Sequence, residues 1–401
     1  LDVFDEFPHA RATFNINGVL SEMLGLYGYT DVLGGMRRLA ETGQVEFTGS
    51  GKYHPILPLI PAEETERQIL LNRDTNREYL GEAYRPRGFF PPEMCYSTDI
   101  VKPMASSQHE WIITSGIACP VAWPMDVIHT IDYPDKEVAV FFRDDILSNK
   151  ISFRDVDGPG FIEHLKQLHQ GEGDVYVITA MDAETFGHHI QHWDKLFLSQ
   201  VYETLTPNID SPRVMREQKP LADQHRKLFE YGKPPGEGDI RIVTISQLLE
   251  IFPRGQKIDP RPSSWSTSAD DINMGNYYPL WKDKNNPVHS MQWEHLDLTI
   301  DMVHKALECA DNPLSIQFAT LAREMLDPAL HSCQFWWASK KPMWNMNMIY
   351  KGMTLQRDAI LNAYKALSLS GCQPEIKKEY YYRVVACRHI FGQITDYLYM
   401  D

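Results

Sequence analysis

Asp174-Val175-Tyr176-Val177-Ile178-Thr179-Ala180-Met181-Asp182-Ala183-Glu184-Thr185-Phe186-Gly187-His188-His189 opens as a β-strand and closes on acids and imidazoles. Its apolar run has the composition of a strand buried on two faces, as in a parallel sheet. Asp182 emerges where that strand ends. The carboxyl ends of strands are where α/β enzymes mount their chemistry. Acids and histidines so close to a strand end are costly in a core and useful in a cleft. Asp182 would also serve as the N-cap of a helix beginning near Ala183, and the two roles are compatible.

The same pattern recurs along the first 250 residues. Val138-Ala139-Val140-Phe141-Phe142 is a second strand buried on two faces. Shorter β-rich runs lie at 12–16, 44–48, 88–90, 111–114 and 240–244. Helical patterns at 19–26, 31–42, 61–79 and 97–107 separate the early ones, and Pro61-Ala62-Glu63-Glu64 is a strong helix start. This βαβα order predicts an α/β fold with a parallel sheet or barrel. Residues 259–286 are rich in Pro, Ser, Asn, Asp and Trp and lack periodicity, which predicts a long, ordered, functional loop. Helical periodicity then covers 296–310, 315–326, 344–367 and 379–397. The expected division is a catalytic barrel over 1–252, an active-site loop segment over 253–291 and an all-helical C-terminal domain over 292–401.

With 401 residues there is enough chain for one large domain and a smaller one. Thirty-nine basic against 54 acidic side chains give a formal charge of −15, which argues against a nucleic-acid partner. No apolar run is long enough to span a membrane. The six cysteines are scattered without a CxxC pair, so reduced thiols in a cytoplasmic protein are expected. No G-x-S-x-G elbow, G-x-G-x-x-G or P-loop occurs, so neither a serine hydrolase nor a nucleotide cofactor is implied. Composition leaves the oligomeric state open.

Other candidates sit at other strand ends. Glu93 follows Pro91-Pro92, which donate no backbone hydrogen bonds, so the strand before them must stop near Phe90. That leaves Glu93 on a stiff segment at the barrel mouth, either catalytic or a surface glutamate at a helix start. Tyr53 and His54 follow the 44–48 strand. Arg143 follows the 138–142 strand and would contact a sugar, position a carboxylate, or form a structural pair with Asp144 or Asp145. In the long loop, Trp265 and Trp281 are candidate stacking platforms for sugar rings. Trp336, Trp337 and Trp344 read as packing residues, with room for one of them to line the cleft. His188 and His192 have i, i+4 spacing and would ligate a metal with Asp182 or His54, whereas the adjacent His188 and His189 cannot share one helix face.

Taken in order, four of these segments resemble blocks of glycoside hydrolase family 57, a group of α-glucan-active enzymes. The blocks are Gln44–Pro58, Gly88–Tyr96 with Pro92-Glu93, Asp182–His188, and Ser263-Ser264-Trp265 onward. The resemblance implies an incomplete (β/α)7 barrel with a C-terminal all-helical domain. It implies a retaining hydrolase or glucanotransferase acting on α-linked oligo- or polysaccharides, with no metal and no cofactor. Glu93 would be the nucleophile and Asp182 the general acid/base, their carboxyls about 5–5.5 Å apart. Tyr53, His54, Arg143, Glu184, His188, Trp265 and Trp281 would bind substrate. Two features depart from the family. Its first block, a His-Gln-Pro stretch on the first strand, has no counterpart before Asp5-Glu6-Phe7-Pro8, so an open barrel edge is expected. His188 is followed by His189 where branching-type members carry aromatics. Two alternatives remain. One is a metal-dependent deacetylase or α-mannosidase-like hydrolase. The other is a catalytically silent carbohydrate-binding barrel.

Overall fold

Seven strands form one sheet in the order β1-β2-β3-β4-β6-β5-β7. They are β1 (Ala12–Asn15), β2 (Val45–Gly49), β3 (Gly88–Phe89), β4 (Trp111–Ser115), β5 (Ile128–Tyr133), β6 (Lys136–Arg143) and β7 (Arg254–Lys257). The structure, a computed structural model, describes residues 1–133, 136–169, 173–205, 240–340 and 345–400. All pairings are parallel except that of β5 with β6.

Burial explains which residues form the middle of the sheet. All five residues of β4 are buried, and so are the last six of β6. Such strands need apolar side chains on both faces, which Trp111-Ile112-Ile113 and Val138–Phe142 supply. Next to β4, β3 carries Gly88 because a Cβ there would lie 1.9 Å from the Trp111 indole. The indole N–H in turn donates to Ser246 Oγ.

Two expected strands did not join the sheet. Residues 174–182 and 240–244 carry no strand pairing. β5 pairs with β6 only over Lys136–Ala139, and β4 takes the other edge over Ala139–Arg143. The 174–182 segment is tied instead through single contacts, Asp144 N–H to Ile178 O and Tyr176 N–H to Met125 O. β5 and β7 were not foreseen from the sequence. At the opposite end β1 pairs with β2 alone, so among the described residues the sheet has an unpaired edge there.

Helices Pro287–Cys309, Pro313–Ala329, Met346–Leu369 and Pro374–Met400 make up the C-terminal part. Trp344, at the expected start of the third, lies outside the described residues. These helices share one apolar core with the sheet layer: Phe89, Ile112 and Val140 belong to the same cluster as Trp293, Leu326 and Ile360. An ionic cluster reinforces the seam. Glu64, on the helix Ala62–Leu80, accepts both guanidinium nitrogens of Arg323 at 2.6 and 2.7 Å, and Asp327 pairs with Arg67 at 2.7 Å. No helix among the described residues is long and apolar enough to cross a membrane.

Candidate active site

Glu93 is presented by a turn whose shape follows from its prolines. Phe90 N–H makes the last rung, to Gly49 O. Pro91 and Pro92 cannot continue the ladder, and the chain folds into a tight turn, with Met94 N–H on Pro91 O and Cys95 N–H on Pro92 O. Glu93 and Met94 both sit in the left-handed region, at φ 59° and 50°. For residues with a Cβ that conformation costs roughly 1–2 kcal/mol each. The long loop holds it in place: Tyr96 and Ser263 exchange backbone hydrogen bonds, and Trp265 N–H reaches Glu93 O. The Trp265 indole Nε1 donates to Glu93 Oε2 at 2.9 Å.

Asp182 is placed by a different set of contacts. Ala180 N–H donates to Ser148 Oγ, and Arg143 Nε donates to Ala180 O at 2.7 Å. The remaining arms of Arg143 go to Asp145 and Asn149. The chain turns into a short 3₁₀ segment, Ala183–Phe186, whose N-cap position Asp182 occupies without using its side chain. The carboxyl is left available.

One cleft of about 2970 Å³ takes in both acids, with His54, Arg143, Glu184, His189 and Trp265 on its wall. Burial, reinforced by the charge of Asp182, pushes Glu93 up to about 8, while the Trp265 N–H acts in the opposite direction. Asp182 reaches solvent, yet the surrounding wall still desolvates it. Burial first, and then Glu184, raise its pKa, while His189 and Arg143 oppose the rise. Each acid therefore holds a proton more tightly than an exposed carboxyl, partly because of like charges nearby. His54 Nδ1 lies 3.8 Å from Glu93 Oε1. Burial takes His54 down to about 4, so near neutrality this is a neutral imidazole beside a carboxyl and not an ion pair.

A family model, Glycosyl hydrolase family 57, matches residues 2–213, just over half of the 401-residue chain. The chain belongs to glycosyl hydrolase family 57. An α-amylase of Pyrococcus horikoshii is 28% identical over 197 residues, covering 47% of this chain and 29% of its own length. A 4-α-glucanotransferase of Thermococcus litoralis is 26% identical over 220 residues, 52% of this chain and 32% of its own. The matched stretch is thus under a third of the length of these curated relatives. Among solved structures, the T. litoralis 4-α-glucanotransferase superposes with a TM-score of 0.62 at 18% identity, over 91% of this chain and 54% of that one. An exo-type maltose-forming amylase from Pyrococcus sp. ST04 gives 0.67 at 12% identity, over 96% and 72%. The fold is therefore that of the family, an α/β sheet with a helical C-terminal region.

In this family-57 cleft the residues singled out from sequence fare unequally. Glu93, Asp182, His54, Arg143, Glu184 and Trp265 all line it. Trp281 does not: it is 0% exposed inside the core, its carbonyl accepting from Trp293, and offers no face to a sugar. Tyr53 lies off the wall, its ring under the Lys52 ammonium at 5.1 Å. His188 is also off the wall. Arg143 makes the Asp145 pair and the Ala180 contact together, so its role here is to hold the 180–182 backbone. Among the described residues, the three side chains that approach one another as metal ligands do are Glu184, His188 and His189, all exposed, without His192 or Asp182. From the sequence, Trp336 and Trp337 read as packing residues with room for one tryptophan to line the cleft; both line it, together with Cys333, which the sequence reading did not single out. Adjacent tryptophans at a junction between helices were the available signal.

Proposed function

We propose that this protein cleaves or transfers α-linked glucan chains with retention of configuration, Glu93 acting as nucleophile and Asp182 as general acid/base. The observation that carries the reading is that one cleft has both carboxyls on its wall, with Glu93 held there by the Trp265 indole N–H. Family membership gives the substrate class, since the relatives are α-amylases and a 4-α-glucanotransferase. The cleft is several times larger than the roughly 300–1,000 Å³ of a small-ligand pocket, leaving space for several sugar residues.

In the mechanism, Glu93 attacks the anomeric carbon while Asp182 protonates the departing oxygen. A covalent glycosyl ester on Glu93 follows. Asp182, now ionised, deprotonates water or an acceptor hydroxyl, which displaces the ester. The Trp265 N–H on Glu93 Oε2 leaves Oε1 as the attacking oxygen. Replacing Glu93 with Gln should abolish turnover of α-glucans while leaving the fold intact. Near-normal hydrolysis by that variant would remove Glu93 from the mechanism. The metal-dependent alternative is separated by metal analysis of the active protein and by its response to chelator. Glycosidase activity that persists in the metal-free protein supports the carboxylate pair.

A further inference from the structure

We infer that Ser332, from the C-terminal helical part, is a positioning residue for the glycosidase site: its hydroxyl fixes the His54 imidazole beside Glu93. This rests on the reading of Glu93 as the reactive carboxyl. Ser332 is 1% exposed and meets His54 at two points. Its N–H donates to His54 O at 3.0 Å, and its Oγ is hydrogen-bonded to His54 Nδ1 at 2.9 Å. The preceding residue, His331, bridges Pro55, so the contact is a short antiparallel stitch between the two parts of the molecule.

The stitch holds a conformation that His54 would not adopt unaided. His54 has φ 57°, the left-handed region. Residues held in such conformations persist only where their surroundings over-determine them, and they cluster at active sites. With Nδ1 hydrogen-bonded to Ser332, the ring's orientation is set; the hydroxyl can donate or accept, so it serves either tautomer. His54 Nε2 has no hydrogen-bond partner among the described residues, and the ring lies on the cleft wall. That nitrogen is left for a sugar hydroxyl next to the reactive carboxyl. The helical part thereby acts on the chemistry through His54, with Ser332 itself touching no substrate.

The test is a double-mutant cycle with Ser332→Ala, His54→Ala and both together. The backbone half of the stitch survives Ser332→Ala, so only the hydroxyl is removed. We expect kcat on α-glucan to fall about 10- to 100-fold, the scale of a misplaced site group, with a smaller change in KM. Ser332→Thr, which keeps the hydroxyl, should recover most of the loss. In the His54→Ala background Ser332→Ala should cost nothing further. A wild-type rate for Ser332→Ala, or an equal loss in both backgrounds, overturns the proposal. A readout that needs no turnover is the ¹⁵N spectrum of the His54 ring. Its Nδ1 shift should move in Ser332→Ala, and an unchanged shift also overturns the proposal. Absence of glucan activity in the parent protein would count against the glycosidase reading and leave the ¹⁵N result to decide the clamp.

Discussion

Glu93 and Asp182 share a proton problem that defines how the site should respond to pH. Both pKa values are raised, Glu93 to about 8 and Asp182 above the ordinary aspartate range. Between the two titrations the pair holds one proton, and double displacement needs one, on Asp182. In the empty cleft Glu93 competes for that proton. Positive charge developing at the anomeric carbon beside Glu93 favours its ionised form and so shifts the proton to Asp182. The profile of kcat/KM should be a bell, with its alkaline limb near pH 8, where the last proton leaves. A flat profile through pH 8 would contradict this. The same shift bears on stability. A folded-state pKa raised above the ordinary 4.5 means that stability is lost as pH rises from about 4.5 to about 8. Glu93→Gln should therefore raise the melting temperature at pH 8, a gain on the order of a few kcal/mol, and give no gain below pH 4.5. An equal gain at both pH values would show that the carboxylate's burial is not the cause. At Arg143 the guanidinium fork spans Ala180 O, Asp145 and Asn149. A lysine cannot reproduce that fork, so Arg143→Lys should lower kcat roughly 10-fold or more by loosening the backbone before Asp182. Wild-type kcat in that variant would refute the positioning role.

At the scale of elements, the turn at Glu93 was legible because its cause is local. Two prolines end a strand wherever they occur, and Phe90 N–H is indeed the last rung. β4 and β6 were legible because burial on two faces demands an unbroken apolar run. The 174–179 run has that same composition yet pairs with no strand, whereas Ile128-His129-Thr130-Ile131-Asp132-Tyr133, which mixes polar with apolar residues, forms β5 beside the start of β6. Which distant segment pairs with a strand is not written in either segment alone. Trp281 illustrates a related limit, since nothing in Tyr278-Pro279-Leu280-Trp281 distinguishes a platform from a fully enclosed ring. The ionic seam between helices Ala62–Leu80 and Pro313–Ala329 was equally invisible, because its partners are some 260 residues apart. Burial alone would raise the pKa of Glu64, but Arg323 and His304 outweigh it and hold the carboxyl below its ordinary range. Its contribution is thus present above the ordinary glutamate pKa and lost as pH falls through the lowered one. Glu64→Ala removes the bidentate partner of Arg323, which keeps only Asp327 at 3.0 Å, and should cost about 2–3 kcal/mol in denaturant unfolding near neutral pH. A loss below about 1 kcal/mol would mean that the seam is not structural.

At the scale of the whole molecule, the middle of the sheet is covered on both faces, and among the described residues the sheet ends in two singly paired strands, β1 and β7. The helical part packs on the sheet through a common core and reaches into the cleft through Cys333, Trp336 and Trp337. The β1 edge is paired with β2 alone. Hydrogen exchange should show the difference, with amides of β4, flanked on both sides, protected far longer than those of β1. Equal protection would mean that the β1 edge is covered in solution. The expectation of an open edge rested on the family resemblance alone, and no single segment of the chain carries it.

The central claim is that Glu93 becomes covalently attached to sugar. Mass spectrometry of the protein incubated with a 5-fluoro-α-glucosyl fluoride reads this directly. An adduct of one sugar on the peptide carrying Glu93, absent in Glu93→Gln, is the predicted result. An adduct on a different acid, or turnover of α-glucan that releases the inverted anomer with no adduct, would contradict the account.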